Sequence, residues 1–333
     1  MGRPLALPAP ALPASVFPAP AFPDRALTTG LLLTQLLNGI QLGLLLFLLS
    51  SGLTLVFGIM NFVNLSHGSL YMMGAYFAAA GYNASGGSFT VAALCAVPGT
   101  LLLGALVERV VLATLYRRDH LDQVLATFGL ILFFNEVVRY IWGPASVYMN
   151  VPKALSGTVE VFGLPYPSYR FAIIGVGILV GLGLYAVIHR TRAGMLIRAG
   201  ATNPEMVSAL GVDIKRLNRL VFALGAGLAG LAGLMAGPIV SVQSGMGEPI
   251  LILTLVVIVT GGIGSIRGAF FGALIVGIVN TVGRVFLPML LREFFERSIA
   301  QAAGPAVASM AIYLLMAAVL AFKPQGLFPV RHG

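Results

Sequence analysis

Residues 38–76, NGIQLGLLLFLLSSGLTLVFGIMNFVNLSHGSLYMMGAY, place two apolar runs on either side of a short polar interruption. These runs extend over about 31–58 and 67–82, and similar ones follow at about 89–115, 121–142, 170–189, 217–241, 250–263, 268–291 and 303–322. Because backbone groups in lipid must be satisfied internally, and the runs are too long for barrel strands, the spans should be helices. At roughly 20 apolar residues a span, the sequence predicts an all-α polytopic membrane protein with about eight or nine transmembrane helices.

The composition supports a membrane protein and argues against several other classes. The chain of 333 residues is 58% hydrophobic and 9% charged, whereas soluble domains carry about 25% charged residues. Its net charge of +9 comes from basic residues between the spans, which suits loops facing anionic lipid and not nucleic acid. Cys95 is the single cysteine, and the four histidines are scattered. The sequence therefore predicts neither a disulfide framework nor a metal site.

The chain divides into a short tail and one long apolar region. Residues 1–29 form a Pro/Ala-rich tail with seven prolines in its first 25 residues. Its interrupted apolar content is not that of a signal peptide, and a flexible or polyproline-like tail is expected. Residues 30–329 are predicted to form a membrane-embedded domain, and residues 330–333 a cytoplasmic C-terminal end.

Basic residues predict the orientation of the spans. Lys and Arg accumulate in short cytoplasmic loops, which places Arg117, Arg118, residues 190–219, Lys323 and Arg331 on the cytoplasmic side. Residues 143–169 then form the main extracytoplasmic loop. The side of the N-terminus stays open, because the first two apolar runs fit either two full spans or one broken span.

The longest polar stretch is residues 190–219, RTRAGMLIRAGATNPEMVSALGVDIKRLNR. Its basic residues outnumber Glu205 and Asp213. Apolar residues recur at helical spacing over about 195–210, and Gly211 follows as a residue favoured just past a helix end. We expect a short amphipathic helix on the cytoplasmic side, well placed to dock a soluble partner.

The polar interruption after the first apolar run predicts a helix broken near 58–68. Polar side chains and glycine within a membrane stretch are typical of a discontinuous helix that lines a cavity. For His67, bonding across helices is a stronger reading than direct contact with cargo. The candidates for a translocation pathway are Asn61, Asn64, Ser66, His67 and Gly68.

Glycines spaced by four residues predict close helix packing. The densest row is Gly264, Gly268 and Gly272, in the sequence GGIGSIRGAFFGA. Arg267 interrupts this apolar region and indicates a broken helix or a tight cytoplasmic turn.

The remaining charged residues offer weaker functional candidates. Glu136 and Arg139, three residues apart, would share a helix face and pair; a proton-relay role is the alternative. Glu108 fits a helix-end charge cluster and Glu248 an outer turn. The sequence has no catalytic nucleophile–base arrangement and no GxxxxGK[ST] motif for ATP,.

Four blocks of the sequence closely resemble branched-chain amino acid ABC transporter permeases of the LivH type. They cover residues 38–76, 192–237, 261–281 and 323–329 (KPQGLFP), in the order of the family. The similarity extends over nearly all of residues 30–329, while the Pro-rich tail lies outside it and the 143–169 loop is only loosely similar.

The resemblance implies a multi-pass permease of the bacterial inner membrane that is not an enzyme. It implies a second homologous permease subunit as a heterodimer partner, two cytoplasmic ATP-binding subunits, and a periplasmic substrate-binding protein. This chain would bind no cofactor, and ATP would be used by the partner subunits. The 190–219 loop would hold the coupling helix, with Arg198, Ala199, Asn203, Pro204, Glu205 and Gly211 as its candidate residues.

Two questions stay open at the level of sequence. The family also handles urea, short amides and other amino acids, so the resemblance does not fix the substrate. An ion-coupled secondary transporter is the alternative of another class, with Glu136 and His67 as its coupling sites. An intramembrane enzyme is weakly supported, because no facing nucleophile and base are found.

Overall fold

The structure, a computed structural model, describes residues 25–329 except Asn61, Val63, Arg117 and Phe162, and only the backbone of residues 25–28. Most of the predicted tail, Arg331 and the C-terminal end 330–333 lie outside the described residues. The helices found there are α1 (Arg25–Met60), α2 (His67–Ala84), α3 (Phe89–Val107), α4 (Ala113–Leu115), α5 (His120–Trp142), α6 (Ser168–Arg190), α7 (Arg192–Thr202), α8 (Pro204–Ala209), α9 (Ile214–Ala236), α10 (Gly247–Gly261), α11 (Ile266–Leu291) and α12 (Arg297–Phe322).

Every predicted apolar stretch falls on a helix. Seven spans in the described residues are long and apolar enough to cross a bilayer, and they involve α1, α3 with its extension to Leu115, α5, α6, α9, α11 and α12. The two remaining stretches are α2, with 18 residues, and α10, with 15 residues. Each of these shorter helices follows an irregular segment. The predicted class, an all-α polytopic membrane protein, is confirmed.

The bundle is built around α1 and α9. Of the most apolar 18-residue stretch of each helix, 78% is buried in α1 and 67% in α9, but only 17% in α6 and 11% in α12. The outer helices α5, α6 and α12 thus leave most of their apolar surface exposed, while α1 and α9 form the interior.

Glycine brings the backbones of α1 and α11 together. A Cβ atom added at Gly39 would lie 2.7 Å from the Ile278 Cα, and one added at Gly277 would lie 2.5 Å from the Gly39 carbonyl oxygen. Contacts this short leave no room for a side chain. Small residues therefore set the distance between these two helices, as they do in many membrane bundles.

The first helix runs the full depth of the bundle. Near its start, Gly30 lies beside Leu164, which belongs to the hairpin of β1 (Thr158–Val161) and β2 (Leu164–Pro167). Near its end, Ile59 approaches Gly200 of α7. The positive-inside rule predicts that the basic loop around α7 is cytoplasmic, so we expect α1 to begin on the extracytoplasmic side and to end on the cytoplasmic side. The first two apolar runs are accordingly two separate helices.

The predicted extracytoplasmic loop is an ordered cap. Its two strands pair antiparallel, with Thr158 opposite Pro167 and Val161 opposite Leu164. A single bridge joins Val147 to Val242, on the segment that links α9 to α10. The loop thus holds the outer ends of α1, α6 and α9 near one another.

Candidate translocation pathway and coupling segment

The helix break predicted near 58–68 is present between Met60 and His67. Asn64, Ser66, His67 and Gly68 lie here and are buried inside the bundle, whereas Asn61 is outside the described residues. The Asn64 Oδ1 accepts hydrogen bonds from the Ser66 backbone N–H at 3.0 Å and from the Ser66 hydroxyl at 2.7 Å. This local turn supplies the acceptor that the start of α2 needs inside an apolar bundle.

His67 ties the start of α2 to the middle of α1. Its Nε2 lies 3.0 Å from the Leu49 carbonyl oxygen, and a carbonyl only accepts, so Nε2 donates. The His67 Nδ1 and the Asn64 Nδ2 are buried without a hydrogen-bond partner in the described part of the chain. The break thus leaves unused polar atoms in the bundle interior.

Two helix starts meet beside this break. A Cβ atom added at Gly68, in the first turn of α2, would collide with the backbone of Gly247, and the reverse also holds. α10 therefore begins against the start of α2, and both helices begin within the bundle. Discontinuous helices that meet at membrane depth are typical of transport pathways.

Asn135 of α5 holds the start of α10 and was missed by the sequence prediction. Its Nδ2 donates to the Glu248 Oε1 at 2.5 Å, and its Oδ1 accepts from the Gly245 N–H at 3.0 Å. Glu248, expected in a turn, lies in the first turn of α10, where a carboxylate suits the helix dipole,. The signal in the sequence was a lone amide in the apolar run LFFNEVV.

A cavity of about 270 Å³ lies outward of the break, among α1, α2, α6, α9, α10 and α11. Tyr71 and Leu45, at its inner end, are each one helical turn from the His67–Leu49 hydrogen bond,. That contact therefore lies just inward of the cavity. The polar lining residues are Asn38, Gln41, Tyr71, Arg170 and Thr281. The apolar lining residues are Leu42, Leu45, Ala236, Ile239, Val240 and Ile250.

Arg170 is held at the outer part of this cavity by Asn38. The Asn38 Oδ1 accepts a hydrogen bond from the Arg170 Nη1. It accepts a second one from the Tyr166 hydroxyl, at 3.1 Å. A tyrosine hydroxyl is protonated at neutral pH, and burial raises the pKa of Tyr166 further, so this hydroxyl is a donor. The sequence prediction missed this cluster, because Asn38 lies more than 120 positions before Tyr166 and Arg170.

The cytoplasmic segment predicted as a helix over about 195–210 consists of two short helices, α7 and α8. The division falls at Asn203, in an extended conformation, because a residue before proline avoids the α region,. Pro204 then begins α8, and the Asn203 Oδ1 accepts from the Met206 N–H at 2.9 Å as the helix cap,. Gly211 follows α8 with φ +85°, which is the backbone conformation expected past a helix end.

One face of α7 and α8 packs on the bundle and the other is exposed. Ile197 and Val207 are buried, and Ile197 packs with Leu55, Ile188 and Leu217 of the spanning helices. Ala199 is half-buried, whereas Arg198, Asn203, Pro204 and Glu205 are exposed. The exposed face also carries Met195, Met206 and Leu210, with relative exposures of 55%, 59% and 77%.

Glu108 and Arg219 join the inner ends of α3 and α9. The Glu108 carboxylate, 1% exposed, accepts from the Arg219 Nε at 3.0 Å and from the Tyr116 hydroxyl at 3.3 Å. Burial, followed by the nearby Glu108 carboxylate, raises the pKa of Tyr116, so its hydroxyl remains a donor. Glu108, expected as part of a helix-end charge cluster, lies in a π-helical turn, Glu108–Leu112.

Two of the three glycines in the predicted packing row lie at a helix contact. Gly268 approaches the Gly261 backbone, and a Cβ atom added at Gly272 would lie 2.7 Å from the Val257 carbonyl oxygen. Gly264 differs: its φ of +79° places it in the turn between α10 and α11. That positive φ favours glycine in the turn, and the Gly264 Cα would lie 3.8 Å from a Cβ atom added at Gly58 of α1.

The other charged candidates offer no buried site. Glu136 pairs with Arg139 at 3.0 Å as expected, but both side chains are more than half exposed. In residues 25–329, apart from the four undescribed positions, no cluster of His, Cys, Asp or Glu could hold a metal ion.

Comparison with known proteins places the chain among transport permeases. Residues 35–320 match the family described as branched-chain amino acid transport system / permease component. The chain is 28% identical to the high-affinity branched-chain amino acid permease protein BraD of Pseudomonas aeruginosa, over 89% of this chain and 95% of that protein. It is 30% identical to LivH of Escherichia coli K12, over 77% of this chain and 87% of LivH.

The family is broader than amino acid transport. The ribose import permease protein RbsC of Escherichia coli K12 is 28% identical, over 70% of this chain and 72% of that protein. No solved structure matches the chain significantly. The relatives, together with seven described helices that are long and apolar enough to cross a bilayer, confirm a multi-pass transport subunit of the inner membrane. By the match over residues 35–320, the chain belongs to the branched-chain amino acid transport system permease family.

Proposed function

We propose that this chain is a permease subunit of an ATP-driven importer, with residues 30–329 forming part of the pathway for branched-chain or other hydrophobic amino acids. A periplasmic binding protein would deliver the cargo. A second, homologous permease subunit would complete the pathway, and two cytoplasmic ATP-binding subunits would supply the energy. The chain itself would bind no cofactor.

The observation that carries the proposal is the two-faced α7–α8 segment. Ile197 packs against the ends of the spanning helices and Val207 is buried, while Met195, Met206 and Leu210 are exposed. Methionine-rich exposed surfaces suit docking of a partner protein. A cytoplasmic ATPase docked here would act directly on α6, α7 and α9.

The proposed mechanism uses the interior contacts that separate the cavity from the cytoplasmic side. The cavity lies outward of the His67–Leu49 hydrogen bond and the Gly68–Gly247 contact. Movement of α9 would be shared with α3, because Arg219 is bonded to the buried Glu108. We propose that ATPase docking shifts α9 and α3 and so loosens the contacts around His67. A partner changes this equilibrium only by binding the two states differently.

Other cargo within the same family is the nearest alternative. The aliphatic cavity wall formed by Leu42, Leu45, Ile239, Val240 and Ile250 favours a solute with an apolar side chain over urea or ribose,. The similarity to a ribose permease is the reason to test both classes.

An ion-coupled secondary transporter is less well supported. Glu136 is exposed and paired with Arg139. In the described part of the chain, the one buried carboxylate is Glu108, and it is bonded to Arg219 and Tyr116. A proton-coupling carboxylate would be expected in the interior, free to exchange its proton.

The test is uptake by proteoliposomes that contain this chain together with its partner permease, ATPase and binding-protein subunits. We expect uptake of radiolabelled leucine that requires ATP inside and the binding protein outside. Excess isoleucine or valine should compete, whereas urea and ribose should not.

Two results would contradict the proposal. Uptake of ribose or urea in place of leucine would assign another cargo. Uptake by this chain alone, driven by a proton or sodium gradient without ATP, would assign the secondary-transporter class.

A further inference from the structure

We infer that the Arg170 cavity binds the zwitterionic backbone of a free amino acid, with Arg170 as the anchor for its carboxylate. This inference rests on the proposed function, because it assigns a contact for the cargo of the same pathway. It adds a specific site at the outer part of that pathway, and it names which end of the cargo each part of the cavity would hold.

Arg170 is suited to a carboxylate ligand. A guanidinium has five N–H donors in a planar fork that matches a carboxylate. Asn38 accepts from one of its nitrogens, and none of the ion pairs found in the described residues involves Arg170. The cavity lining contains no Asp or Glu. The site therefore has a positive charge without a compensating carboxylate.

Polar acceptors for the ammonium group lie in the same cavity. Gln41 is 8% exposed and its amide makes no hydrogen bond to another described residue. Its carbonyl oxygen is therefore available to an ammonium donor. Ala236, the last residue of α9, also lines the cavity. Its carbonyl oxygen already accepts from the Ile239 and Val240 N–H groups at 2.9 Å, so it acts through the helix dipole, whose C-terminal end favours a cation.

The remaining wall suits an aliphatic side chain. Leu42, Leu45, Ile239, Val240 and Ile250 line one continuous cavity with the polar groups. Its volume of about 270 Å³ is at or below the small end of the range for small-molecule sites, roughly 300–1,000 Å³. The cavity therefore fits a single amino acid with an apolar side chain better than a peptide or a larger solute.

The experiment measures the charge preference of the cavity directly, in vesicles that contain the complete transporter. The chain carries Cys95→Ser, which removes its single cysteine, and Val240→Cys at the cavity rim. We compare the rates of modification by an anionic and a cationic methanethiosulfonate reagent. The anionic reagent should react about tenfold faster than in the Arg170→Gln variant, as expected for one nearby charge in a partly screened site.

Matched variants separate the role of charge from that of folding. Arg170→Lys keeps the cation and should keep most of the anionic preference, but its single ammonium lacks the bidentate fork. Tyr148→Cys, exposed on the outer loop, should react at the same rate with or without Arg170. Leucine with the binding protein should slow modification at Val240→Cys, and leucinamide, which lacks the carboxylate, should slow it much less.

The outcomes distinguish this inference from the proposed function. If Arg170→Gln leaves both the reagent preference and leucine uptake unchanged, the Arg170 site is wrong while the importer assignment stands. If the complete transporter takes up no amino acid, the proposed function is wrong, and so is this inference about its cargo. Loss of the anionic preference, together with at least a tenfold loss of leucine uptake in Arg170→Gln, supports both.

Discussion

Glu108 and Arg219 show how a single charge pair joins helices that are distant in sequence. Glu108 is buried where α3 turns into its π-helical segment, and Arg219 lies in the second turn of α9. The carboxylate accepts from both Arg219 and Tyr116. A buried carboxylate without its partner is costly, so the pair should matter more for stability than surface ion pairs at the same end of the molecule.

Replacing Arg219 with alanine should destabilise the bundle by about 2–3 kcal/mol, because Glu108 would be left buried with a single donor. The control is Arg216→Ala, whose partner Asp213 is exposed; its effect should stay below about 0.5 kcal/mol. The measurement is thermal unfolding of the purified protein in detergent. Equal melting temperatures for the two variants would show that the Glu108 pair contributes nothing.

The contacts of single polar residues were the least predictable part of the site. The sequence indicated that Asn64 and His67 lie in a broken helix, because polar side chains interrupt an apolar run. It gave no sign that Asn38 contacts Arg170, or that Asn135 holds Glu248, because such pairs depend on helix packing. Their partners lie 132 and 113 positions away.

At the scale of elements, hydrophobicity decides where the helices are and local chemistry decides where they end. Each apolar run became a helix because nothing else satisfies the backbone in lipid. The division between α7 and α8 had a local signal in the sequence, because Asn203 is a capping residue that precedes a proline. Apolar residues nevertheless continue at helical spacing on both sides of Asn203, and this spacing led to the prediction of a single helix. Gly264 was likewise read by its spacing, although its turn needs a positive φ.

Close contact between α1 and α11 gives a prediction about glycine. Gly277→Ala should lower the melting temperature, because the new methyl group would lie 2.5 Å from the Gly39 carbonyl oxygen and would push the two helices apart,. Gly183→Ala on α6 is the matched control, since nothing lies within 4 Å of its added Cβ. We expect that control to be neutral or stabilising, because alanine favours helix. A stable Gly277→Ala variant would mean that this contact is looser than described.

At the scale of the whole molecule, α1 contacts the outer cavity, the break between α1 and α2, and the cytoplasmic segment in turn. The cavity ends one turn above the His67–Leu49 hydrogen bond. The end of α1 then packs against α7 through Ile59 and Gly200. α1 therefore connects the proposed cargo site with the surface on which the ATPase is proposed to act.

The coupling role of α7 and α8 is the central claim and has a direct test. Residues 198–208 are replaced with a flexible Gly/Ser linker of equal length, with Arg216→Ala as a control at the same end of the molecule. The spanning helices should still insert, because insertion depends on their own hydrophobicity. A linker, however, provides no rigid surface through which an ATPase could favour one state of the permease.

The measurement is substrate-stimulated ATP hydrolysis and leucine uptake in proteoliposomes that contain all subunits. We predict that the linker variant loses both activities while its affinity for the binding protein stays at the level of the unmodified chain and the Arg216→Ala control. Uptake at the normal rate by the linker variant would contradict the account, because energy would then reach the pathway without the α7–α8 surface.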